Sequence, residues 1–99
     1  MAIVMNMHWP EATQDQYDKL RERVGWEASK PTGGIFHVAW WEDDGMHILD
    51  VWESREDFER CMAERAMPGI EAIGGIPGRP DVSIAEVYGT NVGAIEALA

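Results

Sequence analysis

The chain has 99 residues, one cysteine and a formal net charge of −10 at pH 7. That length holds one modest core with no room for a second domain, and the charge repels nucleic acid and anionic membrane alike, because the arginines and lysines are scattered instead of clustered. The lone Cys61 excludes an intrachain disulfide and a thiolate zinc site, and no window approaches the ~18 apolar residues of a membrane span, so the chain reads as soluble, unexported and cytoplasmic.

Residues 2–8 (AIVMNMH) predict a first strand, with Val4, Asn6 and His8 on one face and Ile3, Met5 and Met7 on the other, ended by Pro10. Thr13 followed by Gln16 is a capping box. Tyr17, Leu20 and Val24, at spacings of three and four, then give a helix with a narrow apolar stripe that stops near Gly25. Residues 26–34 (WEASKPTGG) form a loop by their Pro-Thr-Gly-Gly content.

From Phe36 the pattern switches to period two. Alternating apolar runs flank Asp44-Gly45, and a type I′ hairpin turn there needs positive φ at both central residues, which Asp and Gly tolerate best. With that turn, Asp43 pairs with Met46, Trp41 with Ile48, Ala39 with Asp50 and His37 with Trp52. The last six share one sheet face. The other face carries Phe36, Val38, Trp40, Leu49 and Val51, with Glu42, His47 and Glu53 towards its ends.

Ser54, with Asp57 three residues on, caps a second helix whose stripe is Phe58, Cys61, Met62, Arg65 and Ala66. Pro68 cannot donate to the helical ladder, so it starts a new turn or kinks the old one, and residues 68–73 continue as a short helix before Gly74-Gly75. Residues 82–88 (VSIAEVY) predict the last strand, and the tail 89–99 is either a short helix or an arm.

The order is βαββαβ. With right-handed crossovers it predicts one α+β, ferredoxin-like domain over residues 1–99, a four-stranded antiparallel sheet with two helices on one face. The face carrying Phe36, Val38, Trp40, Leu49 and Val51 is then uncovered and apolar, which implies a homodimer.

The tryptophan ending the third strand, followed by Glu-Ser and an aromatic four residues after the serine (Trp52-Glu53-Ser54 and Phe58), resembles the antibiotic biosynthesis monooxygenase family of the dimeric α+β barrel superfamily. The resemblance implies two facing ferredoxin-like sheets and, in each subunit, a pocket between sheet and helices into which Trp52 points. Cofactor-independent quinone-forming members carry an asparagine four residues before the tryptophan and a tyrosine in the next helix. Ile48 and Phe58 stand at those positions, so Trp52 alone matches. Heme-degrading members pair a first-strand asparagine with the same tryptophan, which Asn6 and Trp52 match, and use a helix-borne histidine that the second helix lacks.

His37 and Asp50, diagonal across the hairpin, are arranged either as a general base steered by a carboxylate or as a structural polar pair. Trp41 and Trp52 either sandwich a planar ligand or fill a small core. His8, Asn6 and His37 lack a recognised metal spacing, Glu42-Asp43-Asp44 reads as a soluble turn, and His47 beside it reads as solvated. No flavin or nicotinamide fingerprint is present. The expectation is a barrel that binds a small hydrophobic or aromatic compound, with His37 and Asp50 as catalytic candidates and Trp41, Trp52, Asn6, Ile48 and Phe58 as substrate contacts. No metal, cofactor, nucleic acid or membrane partner is expected. Such a barrel acts as a monooxygenase-like enzyme on an aromatic or polyketide-like compound, as a non-catalytic binding or stress-associated domain, or, ranked below both, as a heme-binding or heme-degrading protein.

Overall fold

Thr13 and Ser54 start helices as their spacing predicts. Thr13 Oγ1 accepts the Gln16 N–H at 3.2 Å while Gln16 Oε1 accepts the Thr13 N–H at 3.0 Å, and Ser54 Oγ accepts the Asp57 N–H at 3.1 Å. The first helix stops at Gly25, whose φ of 66° lets its N–H turn back to the Arg21 carbonyl. In the computed structural model, which describes residues 1–98 and leaves residue 99 of the predicted tail outside, the elements are β1 (Ile3–Trp9), α1 (Gln14–Val24), β2 (Gly34–Glu42), β3 (Gly45–Trp52), α2 (Arg55–Cys61), α3 (Met67–Ala72) and β4 (Asp81–Glu86). A π-helical turn, Met62–Ala66, joins α2 to α3, and a 3₁₀ turn, Ile95–Leu98, lies in the tail.

The four strands form one antiparallel sheet in the order β2-β3-β1-β4, which is the ferredoxin-like arrangement. Strand β1 is central, and its burial alternates strictly. Ile3, Met5, Met7 and Trp9 face the helices and are buried, whereas Asn6 on the other face is exposed. Met46 and Trp52 from β3 and Phe58 and Cys61 from α2 complete this core. Burial of each large apolar side chain there stabilises the fold by about 1.5–3 kcal/mol.

The hairpin differs from the type I′ expectation in one respect. Among the described residues only glycines have positive φ, so Asp44 does not adopt the left-handed conformation that such a turn requires. The turn is made by Asp43 and Asp44, and the left-handed geometry falls on Gly45 alone, at φ 115°. A Cβ on Gly45 would also lie 2.5 Å from the Cα of Pro10, so side chains are excluded there on two counts. The observed pairs are Trp41 with Met46, Ala39 with Ile48 and His37 with Asp50. The register moves by two residues, and because side chains alternate with period two His37, Trp41, Ile48, Asp50 and Trp52 stay on the helix side and Trp40 on the other. Phe36, expected on the uncovered face, is the exception: next to the irregularity between Gly34 and Phe36, it lines the cavity on the helix side. His37 and Asp50 stand directly opposite, not diagonally.

Pro68 falls in the first turn of α3, starting a new turn where its missing N–H costs nothing. The Met67 N–H reaches back five residues to the Met62 carbonyl, and this wider π turn sits just ahead of a proline that lacks an N–H and crowds the carbonyl four back. The last strand is shorter than predicted, though its ladder continues with the Val87 N–H on the Ala2 carbonyl at 3.0 Å. Opposite the helices, Val4, Val38, Leu49 and Val51 are half-buried and Trp40 is 38% exposed. Among the described residues no helix is long and apolar enough to cross a membrane.

Candidate functional site

The pairing of β2 with β3 sets His37 against Asp50 on the helix-covered face. Asp50 is only 6% exposed, and a carboxylate so placed must be hydrogen-bonded. Its Oδ1 accepts from His37 Nδ1 at 2.6 Å and its Oδ2 accepts from Trp52 Nε1 at 3.2 Å. Helix α1 supplies the third member, with Tyr17 Oη 2.7 Å from His37 Nε2. Because the Nδ1 proton points at Asp50, the network assigns the Nε2 lone pair to the Tyr17 hydroxyl, which donates. The result is a continuous chain from Tyr17 through His37 to Asp50 and Trp52.

Burial pushes the Tyr17 phenol above its ordinary value of 10.0. Arg21 opposes the shift, and the nearby carboxylates of Asp50, Asp18 and Glu27 reinforce it. Tyr17 is thus a neutral hydrogen-bond donor at physiological pH. Its ring lies parallel to His37 (centroids 6.0 Å, 5°) and meets the edge of Trp41 at 5.6 Å. Trp26, from the loop, lies 5.9 Å from the His37 ring and edge-on to Trp52 at 5.5 Å, and Trp52 in turn meets Phe58 at 6.0 Å. Trp26 reaches this position because residue 34 is glycine, where a Cβ would come within 2.7 Å of the indole.

These groups line a cavity of about 440 Å³ between sheet and helices. Most of the wall is apolar, from side chains such as Met5, Met7, Leu20, Val24 and Ile70. Its polar groups are the Tyr17–His37–Asp50 chain and, at the mouth, the exposed ion pair Arg21–Glu27. Ile35 of β2 and Ile95 of the tail are exposed lining residues of the same mouth.

Of the residues singled out in the sequence, His37, Asp50, Ile48, Trp52 and Phe58 come together on this cavity. Trp41 stands behind it, donating from Nε1 to the Ala12 carbonyl at 3.2 Å and bracing Tyr17. Asn6 is on the opposite face of the sheet, where it borders a groove with His8, Trp40 and His47. His47 is not a solvated rim residue, because its ring is stacked between His8 (4.6 Å, 14°) and Trp40 (5.3 Å, 15°). Tyr17 was legible only as one member of an apolar stripe. The signal that it does more is chemical, since a tyrosine facing a core needs a partner for its hydroxyl.

The donor set does not fit a heme iron. Both nitrogens of His37 are engaged, α2 and α3 contain no histidine, and burial pushes the Cys61 thiol up, away from the thiolate form that ligates metal.

No protein-family model matches the sequence, and no curated protein matches it. Solved structures do match. SnoaB, a cofactor-independent oxygenase from Streptomyces nogalater, aligns with a TM-score of 0.64 over 90% of this chain and 94% of its own, at 15% identity. A conserved protein from Methanosarcina mazei Go1 gives 0.64 over 88% and 93%, at 16% identity. The structure of an antibiotic biosynthesis monooxygenase gives 0.61 over 90% and 100%, at 10% identity. Likeness at such identities is likeness of fold. The chain therefore has the same fold as these solved antibiotic biosynthesis monooxygenase and oxygenase structures.

Proposed function

We propose that this protein is a small-molecule enzyme in which His37 removes a proton from an aromatic or polyketide-like substrate held in the cavity. The observation that carries the reading is the Tyr17–His37–Asp50 hydrogen-bonded chain on the wall of an otherwise apolar cavity of about 440 Å³. Asp50 holds the imidazole with Nε2 as its basic atom and stabilises the imidazolium once the proton arrives. A substrate phenol or acidic C–H takes the place of the Tyr17 hydroxyl at Nε2, and Tyr17, still protonated, donates instead to the oxygen on which charge develops. Trp26 and Trp52 favour a flat electron-rich ring, each offset or edge contact adding about 0.5–1.5 kcal/mol beyond burial.

The carbanion formed at an activated methylene gives its electrons to dioxygen. His37 returns its proton to the resulting peroxide, and loss of water with the second hydrogen leaves a carbonyl. One oxygen atom enters the product, the other leaves as water, and no further reductant is needed. SnoaB, named a cofactor-independent oxygenase, supports this choice among chemistries open to the fold. The uncovered face of Val38, Trp40, Leu49 and Val51 is assigned to a second copy of the chain, giving the paired-sheet barrel.

The test is oxygen uptake with hydroxylated polycyclic methylene compounds. His37→Ala should lower turnover by about 10²–10⁴-fold, the usual worth of a general base, while aromatic ligands still raise the melting temperature. A second reading, a non-catalytic binding barrel, is favoured by one observation. Among the described residues no buried side-chain polar atom lacks a partner, so the chain of hydrogen bonds is complete without a substrate. Wild-type protein that binds these compounds and never consumes oxygen would establish that second reading.

A further inference from the structure

A second set of histidines lies on the opposite face of the sheet, outside the cavity. His8 of β1 and His47 of β3 are direct cross-strand partners, and both rings extend towards the hairpin turn, where their Nε2 atoms meet Asp44. His47 Nε2 is 2.7 Å from Asp44 Oδ1, and His8 Nε2 is 2.8 Å from the Asp44 carbonyl oxygen and 3.5 Å from its Oδ2. The donor atoms of His8, Asp44 and His47 all fall within 4.8 Å of one another. A fourth group is close, with Glu42 Oε2 3.5 Å from His47 Nε2.

We propose that His8, His47 and Asp44, with Glu42 as the fourth ligand, bind one borderline divalent transition-metal ion such as Zn²⁺. Metal–ligand bonds of about 2.0–2.1 Å in a tetrahedron place neighbouring donor atoms roughly 3.3 Å apart. The separations of 2.7 and 3.5 Å bracket that value, so a lean of the two rings at their Nε2 ends and a small adjustment of the exposed carboxylates complete the site. The single ring proton of each neutral imidazole, now on Nε2 and pointing at Asp44, shifts to Nδ1, which leaves the Nε2 lone pair to bind the ion. Two imidazoles with carboxylates are the donor set of Zn²⁺, Ni²⁺ or Cu²⁺ more than of Mg²⁺ or Ca²⁺, which prefer oxygen throughout.

Two features hold the donors in place before any ion arrives. The Trp40 indole is stacked on His47 and donates from Nε1 to Glu42 Oε2 at 2.8 Å, so it orients a ring and a carboxylate at once. The His8 ring is stacked on the other side of His47. Asp81, paired with His8 across β1 and β4, adds negative charge to the groove that His8, Trp40 and His47 line. The ion would replace the His8–Asp44 hydrogen bond as the direct link between β1 and the turn of the β2–β3 hairpin.

The experiment is calorimetric titration of the intact chain, purified in the presence of chelator, with Zn²⁺ alone. One ion per chain is expected, together with a rise in melting temperature that chelator reverses. His8→Ala and His47→Ala should each weaken Zn²⁺ binding by at least about tenfold, whereas His37→Ala, which removes the remaining histidine, should leave it unchanged. Asp44→Asn, in an exposed turn where folding is not at stake, should weaken it as well. Binding lost in His37→Ala and kept in His8→Ala and His47→Ala would overturn the assignment. So would equal displacement of Zn²⁺ by Mg²⁺, which would mark an unspecific acidic turn.

Discussion

Strand β3 carries two histidine–carboxylate clusters, one on each face, and bond length does not tell them apart. His37 is 2.6 Å from Asp50, and His47 is 2.7 Å from Asp44. Their surroundings differ. The Asp50 side chain is 8% exposed beneath the helices and that of Asp44 58% exposed at the tip of a hairpin, whereas the two histidines are alike, His37 at 30% and His47 at 21%. A hydrogen bond in the sheltered cluster replaces water that cannot return, so its loss leaves an unpaired group in a poor solvent. In the open cluster, water takes over at little expense. The sheltered carboxylate is thus committed to its partners, and the open one is free to take a ligand in place of the imidazole protons it faces.

The comparison is most severely tested at the two tryptophans that accompany these clusters. Trp52, 2% exposed, should destabilise the protein by about 3–5 kcal/mol on replacement by alanine, measured by urea unfolding, because a large cavity opens in the core. Trp40→Ala should lose less than half as much in the same experiment under conditions where the chain is monomeric. Similar losses there would mean that exposure does not separate the two indoles.

A finer contrast comes from the histidines. His37→Ala strands the Asp50 carboxylate with Trp52 Nε1 as its one side-chain partner, a change of about 2–3 kcal/mol for a buried group deprived of a charge-assisted hydrogen bond. His47→Ala should cost less in metal-free buffer, about 0.5–1.5 kcal/mol, from its lost stacking on His8 and Trp40, because water takes over at the exposed Asp44. If both cost the same, exposure is not the property that separates the clusters.

Tyr17→Phe should lose about 1 kcal/mol at neutral pH by removing the hydrogen bond to His37. It should also change the alkaline limb of the stability curve. Since the phenol is raised above 10.0 in the folded chain, the unfolded chain loses this proton first, so the stability it confers is intact below pH 10 and declines as pH rises towards the folded value. The phenylalanine variant should lack that component of the decline. The smallest effect belongs to Asp44, which the hydrogen bond from His47 holds below its ordinary 3.8. Its contribution is present above pH 3.8 and fades as pH falls through the lower, folded value, and Asp44→Asn should flatten that acid limb slightly.

Local patterns in the chain determined a good deal of this protein. Thr13 with Gln16, and Ser54 with Asp57, mark helix starts because capping needs only neighbours in sequence. The period-two runs on either side of Asp44-Gly45 separate Trp40, Leu49 and Val51 from His37, Asp50 and Trp52, since alternation follows from strand geometry alone. The choice of turn residues was beyond that reach. Asp44-Gly45 and Asp43-Asp44 preserve the same faces, so alternation does not choose between them, and the packing of Pro10 that excludes a side chain at Gly45 joins residues distant in the chain. The same holds for the sites. The sequence put His37 and Asp50 on one face, but the packing of α1 against the sheet brought Tyr17 to His37, and the pairing of β1 with β3 brought His8 to His47. Both are long-range juxtapositions, set by how elements pack and pair, and a pattern read along one chain holds no distance between them.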